Sequence, residues 1–214
     1  MIVHMQQDQA RRANSYSFWQ DGALVCKMAA PVVPSILGEH YQFQYQDGTV
    51  REMLLEPRGK GSLKDRLSYY FLEGGEQVGS ICGAAVKKGW AFFRGYMSND
   101  ITYHGRKFAL YEVGLGSEGL FFCLYEGNRL VAVADKKLIV HNWLDHYMLY
   151  LEEDDLFPLF SMVMVYCDVT RFGNADELEQ SEIGYAYRTP QKELRAKYDP
   201  AFIPRIKARD GRGG

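Results

Sequence analysis

The amino-acid sequence predicts a mainly β protein, a closed antiparallel β-barrel of about twelve strands that encloses a central hydrophobic α-helix at about residues 155–172. Turn signals recur about every ten residues between residues 41 and 152, which is typical of antiparallel sandwiches and barrels. Aromatic residues, which favour strands, make up 14% of the chain. One apolar run, from Leu156 to Val169, contains almost no polar side chains.

The composition is that of an ordinary soluble globular chain of 214 residues, with 47% hydrophobic and 24% charged residues. The formal net charge of −2 gives no global attraction for nucleic acid, so no nucleic-acid partner is expected. The four cysteines are far apart and form no C-x-x-C pair, which predicts reduced, buried thiols and a cytoplasmic location. The N-terminal stretch lacks the apolar region of a signal peptide.

Residues 1–40 are mixed in character and form an N-terminal extension. The stretch SYSFWQDGALVCKMAAPVVP can give a short strand followed by an apolar segment that prolines limit. The sequence leaves open whether this extension joins the barrel or packs outside it.

Residues 41–190 carry the strand pattern of the predicted barrel. The stretch YQFQYQDGTVREMLLE alternates between apolar and polar residues and contains Asp47-Gly48, the strongest short hairpin signal. Further turn signals occur at Gly74-Gly75, His104-Gly105 and Gly127-Asn128. The connections are too short for helical crossovers, which predicts antiparallel pairing.

The apolar run that begins at Leu156 could be a membrane span, a strand or a buried helix. At 1.5 Å per residue, its 14 residues cover about 21 Å, whereas a bilayer core needs about 30 Å. Pro158 and the length of the run disfavour a central strand. The sequence therefore favours a helix sealed inside the barrel.

The ends of the run also fit a helix. Asp154 and Asp155 stand where an N-cap carboxylate is expected, and Pro158 falls in the first turn, where its missing N–H costs nothing. Arg171 falls in the last turn, and Gly173 suits the left-handed position after it.

The barrel is predicted to extend to residue 190 and to be followed by a tail. IGYAYR can add a last strand, and TPQKELRAKYDP can form a short surface helix. Residues 191–214 are predicted to be a polar C-terminal tail, whose basic, Gly-rich end PRIKARDGRGG is expected to be frayed.

A β-meander followed by one apolar helix resembles the Tubby C-terminal superfamily, which includes the phospholipid scramblases and the LURP-one-related proteins. The resemblance rests on LKDRLSYYFLEGGEQVGSI, FALYEVGLGSEGLFFCLYEGNRLVAVADKK, DHYMLYLEEDD and LFPLFSMVMVYCDV. It implies a twelve-stranded barrel threaded by a hydrophobic helix, and binding of phosphoinositides through a basic pocket. The Cys-rich and calcium-binding segments of scramblases have no counterpart here, so scramblase activity is not implied.

Eight basic residues are candidates for a patch that binds phosphate or anionic lipid at one end of the barrel. They are Lys87, Lys88, Arg94, Arg106, Lys107, Arg129, Lys136 and Lys137. The alternative is that they keep turns and strand edges soluble. Neighbours on a strand face opposite ways, so each adjacent pair can give only one member to a common patch.

Other candidate residues are better explained structurally. His141, Asp145 and His146 could form a metal or acid–base site, but their spacing fits a tight connection between strands. Asp168 could be a buried functional acid, although its place near the helix end favours solvent or an arginine at the barrel rim. The three tryptophans are expected in the core or over a barrel end.

The sequence thus predicts a binding protein with no catalytic residues, cofactor or metal ion, since it contains none of the common nucleotide-binding or hydrolase motifs. One hypothesis is recognition of anionic phospholipid or a phosphorylated ligand through the basic patch, peripherally at a membrane. The other is a cytoplasmic protein-interaction or scaffold module with no lipid ligand.

Overall fold

The computed structural model describes residues 1–9, 14–29, 40–55, 68–86, 96–141, 144–172, 182–184 and 186–211. Its strands are β1 (Ile2–Gln9), β2 (Ser15–Gln20), β3 (Ala23–Ala29), β4 (His40–Tyr45), β5 (Val50–Leu55), β6 (Tyr69–Glu73), β7 (Glu76–Val86), β8 (Tyr96–Tyr103), β9 (Arg106–Gly116), β10 (Leu120–Glu126), β11 (Arg129–Lys136), β12 (Ile139–His141), β13 (His146–Leu151), β14 (Glu182–Gly184) and β15 (Tyr187–Arg188). Its helices are α1 (Phe157–Arg171), α2 (Lys192–Arg195) and α3 (Phe202–Asp210).

Twelve of these strands form a closed antiparallel barrel. The order around the ring is β10, β11, β13, then β1 to β9, and β9 pairs with β10 to close it. β15 extends the wall at the end of β9, and β12 pairs with β14 in a separate two-stranded sheet. The predicted fold class, a closed antiparallel barrel of twelve strands, is confirmed for the described part of the chain.

The N-terminal extension belongs to the barrel wall. β1 lies between β13 and β2, so Met5 is paired with Tyr147 on one side and with Phe18 on the other. Val3, Met5 and Gln7 point inward because side chains alternate along a strand, and all three are fully buried. β1 to β3 thus supply three of the twelve strands, which settles the question that the sequence left open.

The predicted turns occur where the sequence places them. His104 and Gly105 join β8 to β9 with φ angles of 46° and 75°, the left-handed pair that a tight hairpin requires. Gly48 has a φ of 82°, and the Asp47 carboxylate accepts a hydrogen bond from the Thr49 N–H at 2.9 Å. These hairpins lie at the end of the barrel where α1 begins, since Arg106 beside one of them contacts Asp155.

α1 lies inside the ring, and eleven of its fifteen residues are buried. The four consecutive residues 162–165 are all fully buried although successive side chains point about 100° apart around the helix, so the wall surrounds the helix. Burial of each such side chain contributes about 1.5–3 kcal/mol. The predicted buried helix is therefore confirmed.

The predicted N-cap of α1 is wrong. A 3₁₀ turn over Asp154–Leu156 precedes the helix, and the N-cap is Leu156, which makes no side-chain cap hydrogen bond. The Asp155 carboxylate instead accepts a hydrogen bond from Arg106 at 3.4 Å. Pro158 lies in the first turn and Arg171 in the last, as predicted, whereas Gly173 is outside the described residues.

α2 lies within the stretch TPQKELRAKYDP, where the sequence predicts a short helix, whereas the predicted fraying of PRIKARDGRGG is wrong because α3 covers most of it. α2 and α3 pack on the outer face of the barrel, where Leu194, Phe202 and Ile206 are buried. Phe202 and Ile206 are four residues apart and therefore share one face of α3. They cover outward-facing apolar side chains of the wall, including Phe121 and Val133.

The cysteine prediction holds for three of the four residues. Cys26, Cys123 and Cys167 are buried, whereas Cys82 is exposed, and no disulfide joins them. Among the helices of the described residues, none has the length and apolar character needed to cross a membrane.

The enclosure of α1 predicts the effect of a charge in its middle. Val163→Asp should unfold the protein or lower its free energy of unfolding by several kcal/mol, because an unpaired carboxylate would be buried in a domain whose total stability is about 5–15 kcal/mol. Urea denaturation followed by circular dichroism measures the change.

Val50→Asp is the matched control, because Val50 is 43% exposed and receives the same chemical change. It should lower the free energy of unfolding by less than about 1 kcal/mol. A folded Val163→Asp protein of normal stability would contradict a helix that is enclosed on all sides.

Candidate functional site

The predicted basic residues do not form one patch among those that the structure describes. Lys87, Lys88 and Arg94 lie outside the described residues. Lys107 and Lys137 are both exposed, but Lys107 lies beside the β8–β9 hairpin and Lys137 follows the far end of β11. These two lysines are therefore at opposite ends of the barrel.

Arg106 and Arg129 are neutralised by acidic neighbours at the hairpin end. The Arg106 guanidinium donates to both carboxylate oxygens of Glu126, at 2.8 and 3.0 Å. Arg129 donates to Glu126 at 3.2 Å and to Glu153 at 2.8 Å. The hydrogen bond from Arg106 lowers the pKa of Glu126 to about 2. Their assignment to an anion-binding patch is corrected, because carboxylates already hold both guanidinium groups.

Lys136 is not a surface residue, so its assignment to the patch is wrong. Only 1% of it is exposed, because it points into the barrel from the last position of β11. Its ammonium group forms an ion pair with Asp145 and lies 4.4 Å from the centre of the Phe172 ring. The period of two along β11 places it inward with Ala134.

Asp145 and His146, two of the three candidate residues around the start of β13, do not face a common site, and the side chain of His141 lies outside the described part of the chain. Asp145 turns into the barrel, whereas His146 is outside and stacks on His4, with 3.3 Å between ring nitrogens. Within the described residues, no three His, Cys, Asp or Glu side chains lie close enough together to hold a metal ion. Trp19 is 38% exposed on the outer surface instead of in the core, and the other tryptophans lie outside the described residues.

A buried polar cluster lies at the end of the barrel where α1 finishes. Each side chain comes from a different part of the wall or from the helix, and each is 8% exposed or less. The members are Gln7 of β1, Tyr16 of β2, Lys136 of β11, Asp145, Tyr147 of β13 and Asp168 of α1.

Asp168 is the centre of the buried polar cluster. Its two carboxylate oxygens accept hydrogen bonds from different hydroxyls, one from Tyr16 and one from Tyr147. Gln7 Nε2 lies 3.5 Å from one of the same oxygens. The expectation that Asp168 meets solvent or an arginine is wrong, because the tyrosines of the wall satisfy it inside the barrel.

The other carboxylate of the cluster is tied to the same residues. Lys136 pairs with Asp145 and also donates to the Tyr147 hydroxyl at 3.2 Å. The Asp145 backbone N–H donates to Gln7 Oε1 at 3.1 Å, and the Gln7 N–H donates to the Asp145 carbonyl at 2.9 Å. The polar groups thus form a continuous network between four strands and the helix.

The charges of the cluster determine the protonation of Asp168. Two carboxylates share one ammonium group, and Lys136 is paired directly with Asp145. Burial, followed by the charge of Asp145, raises the pKa of Asp168 to about 7, against the opposing effect of Lys136 and the tyrosine hydrogen bonds. Burial likewise raises the pKa of Tyr16 and Tyr147 well above their usual range, so both remain donors.

In this conformation the cluster can lock α1 to the wall but cannot receive a substrate. Its groups are enclosed by the barrel, and their hydrogen-bonding capacity is used on one another. A sequence signal for the cluster existed. In each of β1, β2, β11 and β13, a polar or tyrosine side chain lies two residues from a buried apolar residue. Because side chains alternate along a strand, both point into the barrel.

Comparisons of the chain with protein families, with known proteins and with solved structures find no match. The resemblance to the Tubby superfamily therefore stays a prediction, and the function has to be argued from the geometry of this chain.

Residues 186–211 form a second feature that the sequence interpretation missed, which we call the C-terminal layer. It comprises β15, α2 and α3, and contains seven basic and three acidic side chains, a net charge of +4 on a chain whose total is −2. Leu194 faces the wall, while Arg188, Lys192 and Arg195 are exposed. The cationic side chains of the layer thus extend from the outside of β9, which α2 contacts, to β1 and β13, which α3 contacts.

The C-terminal layer is attached to β9 at a glycine. The Gly114 N–H donates to the Thr189 hydroxyl at 2.8 Å, and the Thr189 N–H donates to the Gly114 carbonyl at 2.9 Å. A Cβ on Gly114 would lie 2.6 Å from the Tyr187 carbonyl oxygen, closer than real contacts allow. The absence of a side chain at Gly114 is therefore required for β15 to pair with β9.

The raised pKa of Asp168 predicts a pH dependence of stability. Because the native pKa exceeds the unfolded value of about 3.9, the native state holds a proton that the unfolded state has lost, and the free energy of unfolding should fall between about pH 4 and pH 7. The slope should approach 1.4 kcal/mol per pH unit, and Asp168→Asn should lack it. Urea denaturation at a series of pH values measures both curves.

The control is Asp155→Asn, whose carboxylate is 66% exposed at the other end of the helix. This variant should keep the decline, because Asp168 is unchanged. Parallel curves for wild type and Asp168→Asn would show that Asp168 does not hold a proton in this range.

The contact at Gly114 predicts a way to loosen the C-terminal layer alone. Gly114→Ala should break the hydrogen bonds to Thr189, each contributing about 1 kcal/mol, and amide exchange over residues 186–211 should become about tenfold faster or more. Hydrogen exchange followed by mass spectrometry measures this. Gly211→Ala is the control, because its Cβ would lie 3.4 Å from its nearest neighbour. Unchanged exchange in Gly114→Ala would contradict the close packing of β15.

Proposed function

We propose that this chain is a non-catalytic binding protein whose C-terminal layer recognises a phosphate-bearing anionic ligand, such as the headgroup of an acidic phospholipid. The observation that carries the proposal is a group of exposed cations, Arg188, Lys192 and Arg195, that form no ion pair with the described residues. Such side chains are free to meet an external anion at little cost in lost contacts.

The distribution of the other cations supports this choice of surface. Arg106 and Arg129 are held by acidic side chains, and Lys136 is buried in an ion pair. An external phosphate would have to break these contacts before it could bind there. Within the described residues, Lys192 and Arg195 of α2 form no such ion pair, and they are three residues apart on one helical face.

The interior of the barrel gives no support for catalysis. α1 fills it, and the titratable groups near its end are satisfied by one another. A role on the outer surface agrees with the binding of phosphoinositides that the resemblance to Tubby proteins implies, although the surface differs from the patch that the sequence suggested.

Vesicle flotation tests the proposal. Wild type should float with vesicles of phosphatidylcholine and phosphatidylserine at about 50 mM salt and remain behind at about 500 mM, because salt screens these contacts. Lys192→Gln/Arg195→Gln should bind about 30-fold more weakly, at about 1 kcal/mol for each basic residue near the surface. Competition by a soluble inositol phosphate then separates recognition of phosphate from recognition of the bilayer.

Lys27→Gln/Lys107→Gln is the matched control, because it makes the same change in net charge at exposed residues of β3 and β9. It should bind like wild type. Equal weakening of both variants would show that only net charge matters. A protein that never binds anionic vesicles or the inositol phosphate would refute the proposal and favour a protein-interaction module.

A further inference from the structure

Three tyrosines form an aromatic corner on the outside of the barrel. Tyr96, Tyr111 and Tyr125 belong to the neighbouring strands β8, β9 and β10, and all three are partly exposed. Tyr111 is the middle one. Its direct partners are Ser98 and Cys123, so the other two tyrosines are its diagonal neighbours across the sheet.

The rings stand nearly at right angles. The centroids of Tyr111 and Tyr125 are 5.6 Å apart with 82° between their planes, and Tyr96 meets Tyr111 at 6.2 Å and 63°. The faces of Tyr111 and Tyr125 carry negative π-electron density, and the ring of Tyr96 lies beside them. Such an arrangement attracts a cation of low hydration.

A cation already occupies this corner. The Lys197 ammonium lies 4.5 Å from the centroid of Tyr111 and 4.9 Å from that of Tyr125, within the range of cation–π attraction. Two carboxylates add to the negative potential, since the charge of Asp100 raises the pKa of Tyr111 and that of Asp199 raises the pKa of Tyr125, in each case after burial.

The ammonium group of Lys197 is not needed to hold its own segment in place. The Tyr125 hydroxyl donates to the Lys197 carbonyl at 2.9 Å, and Tyr198 stacks on Phe121 with the ring centroids 4.0 Å apart. Leu194 is buried against the wall a few residues earlier. The side chain of Lys197 can therefore leave the corner by rotation of its own bonds while the backbone stays attached.

We propose that Tyr96, Tyr111 and Tyr125 form a binding site for a quaternary ammonium group, which Lys197 occupies as an internal competitor. A methylated ammonium is larger and less hydrated than that of lysine, and it contacts several ring faces at once. The inference is independent of the proposed anion binding, because it involves other side chains and a ligand of opposite charge.

Competition by the Lys197 ammonium group limits the affinity of the wild-type protein for an external quaternary ammonium ligand. A tethered group has an effective concentration in the millimolar range, so an external ligand binds only to the fraction of molecules in which Lys197 is displaced. Removal of the competing ammonium should raise the affinity for an external ligand without any new contact.

The test is titration of the full chain with choline, followed by NMR of the ligand. Lys197→Met keeps an apolar side chain without charge, and it should bind choline about tenfold more tightly than wild type. Lys197→Gln should do the same through a second side chain. The uncharged carbon analogue of choline should bind neither variant, and a peptide with trimethyl-lysine in place of choline shows whether the ligand is a small molecule or a modified protein.

Two changes at Tyr125 separate the aromatic site from attachment of the layer. In the Lys197→Met background, Tyr125→Phe keeps the ring and loses the hydrogen bond to the carbonyl, so choline binding should remain. Tyr125→Leu should abolish it. The proposal is overturned if Lys197→Met and Lys197→Gln bind choline no more tightly than wild type, or if Tyr125→Leu still binds it.

Discussion

A helix with apolar side chains on every face is stable in water only where protein surrounds it completely, and this constraint sets the architecture of the chain. An open sheet would cover one side of α1 and leave the rest in water. Twelve strands make a ring wide enough to hold a helix with its side chains, whereas about eight strands leave space only for side chains. The inward positions of the barrel strands then pack around α1, and the part of the outward face that the C-terminal layer does not cover is left for contacts with other molecules.

This constraint also explains why the fold could be predicted from the sequence. The apolar run from Leu156 to Val169 is too short for a bilayer, and the regular turns before it supply the strands that enclose it. Local signals were weaker at the ends of the chain. Residues 1–40 gave no clear pattern, because the pairing of β1 with β13 is non-local. The sequence does not predict α3, because Phe202 and Ile206 are too few to mark an amphipathic helix without the apolar wall that they cover.

Charged residues were the least predictable, since their role depends on neighbours far away in the sequence. The sequence around Lys136 does not show that this side chain points inward to Asp145. The sequence around Asp168 likewise does not show that its carboxylate accepts hydrogen bonds from Tyr16 and Tyr147. The cations predicted for a patch include two that acidic residues distant in the sequence already hold. Composition shows the total charge and the basic C-terminal segment, but the packing of that segment against the wall as a cationic layer required the three-dimensional structure.

The position of α1 in the chain has a consequence for how the protein folds. The helix follows β13, the strand that pairs with β1 to complete the wall. All twelve strands of the barrel therefore precede, along the chain, the helix that fills it. Passage of α1 into a finished ring would require the whole C-terminal segment to be drawn through. We therefore expect the seam between β1 and β13 to close only when the helix is already in place. Until then the curved sheet exposes its apolar inner face, and the nascent chain is at its most vulnerable to aggregation late in synthesis.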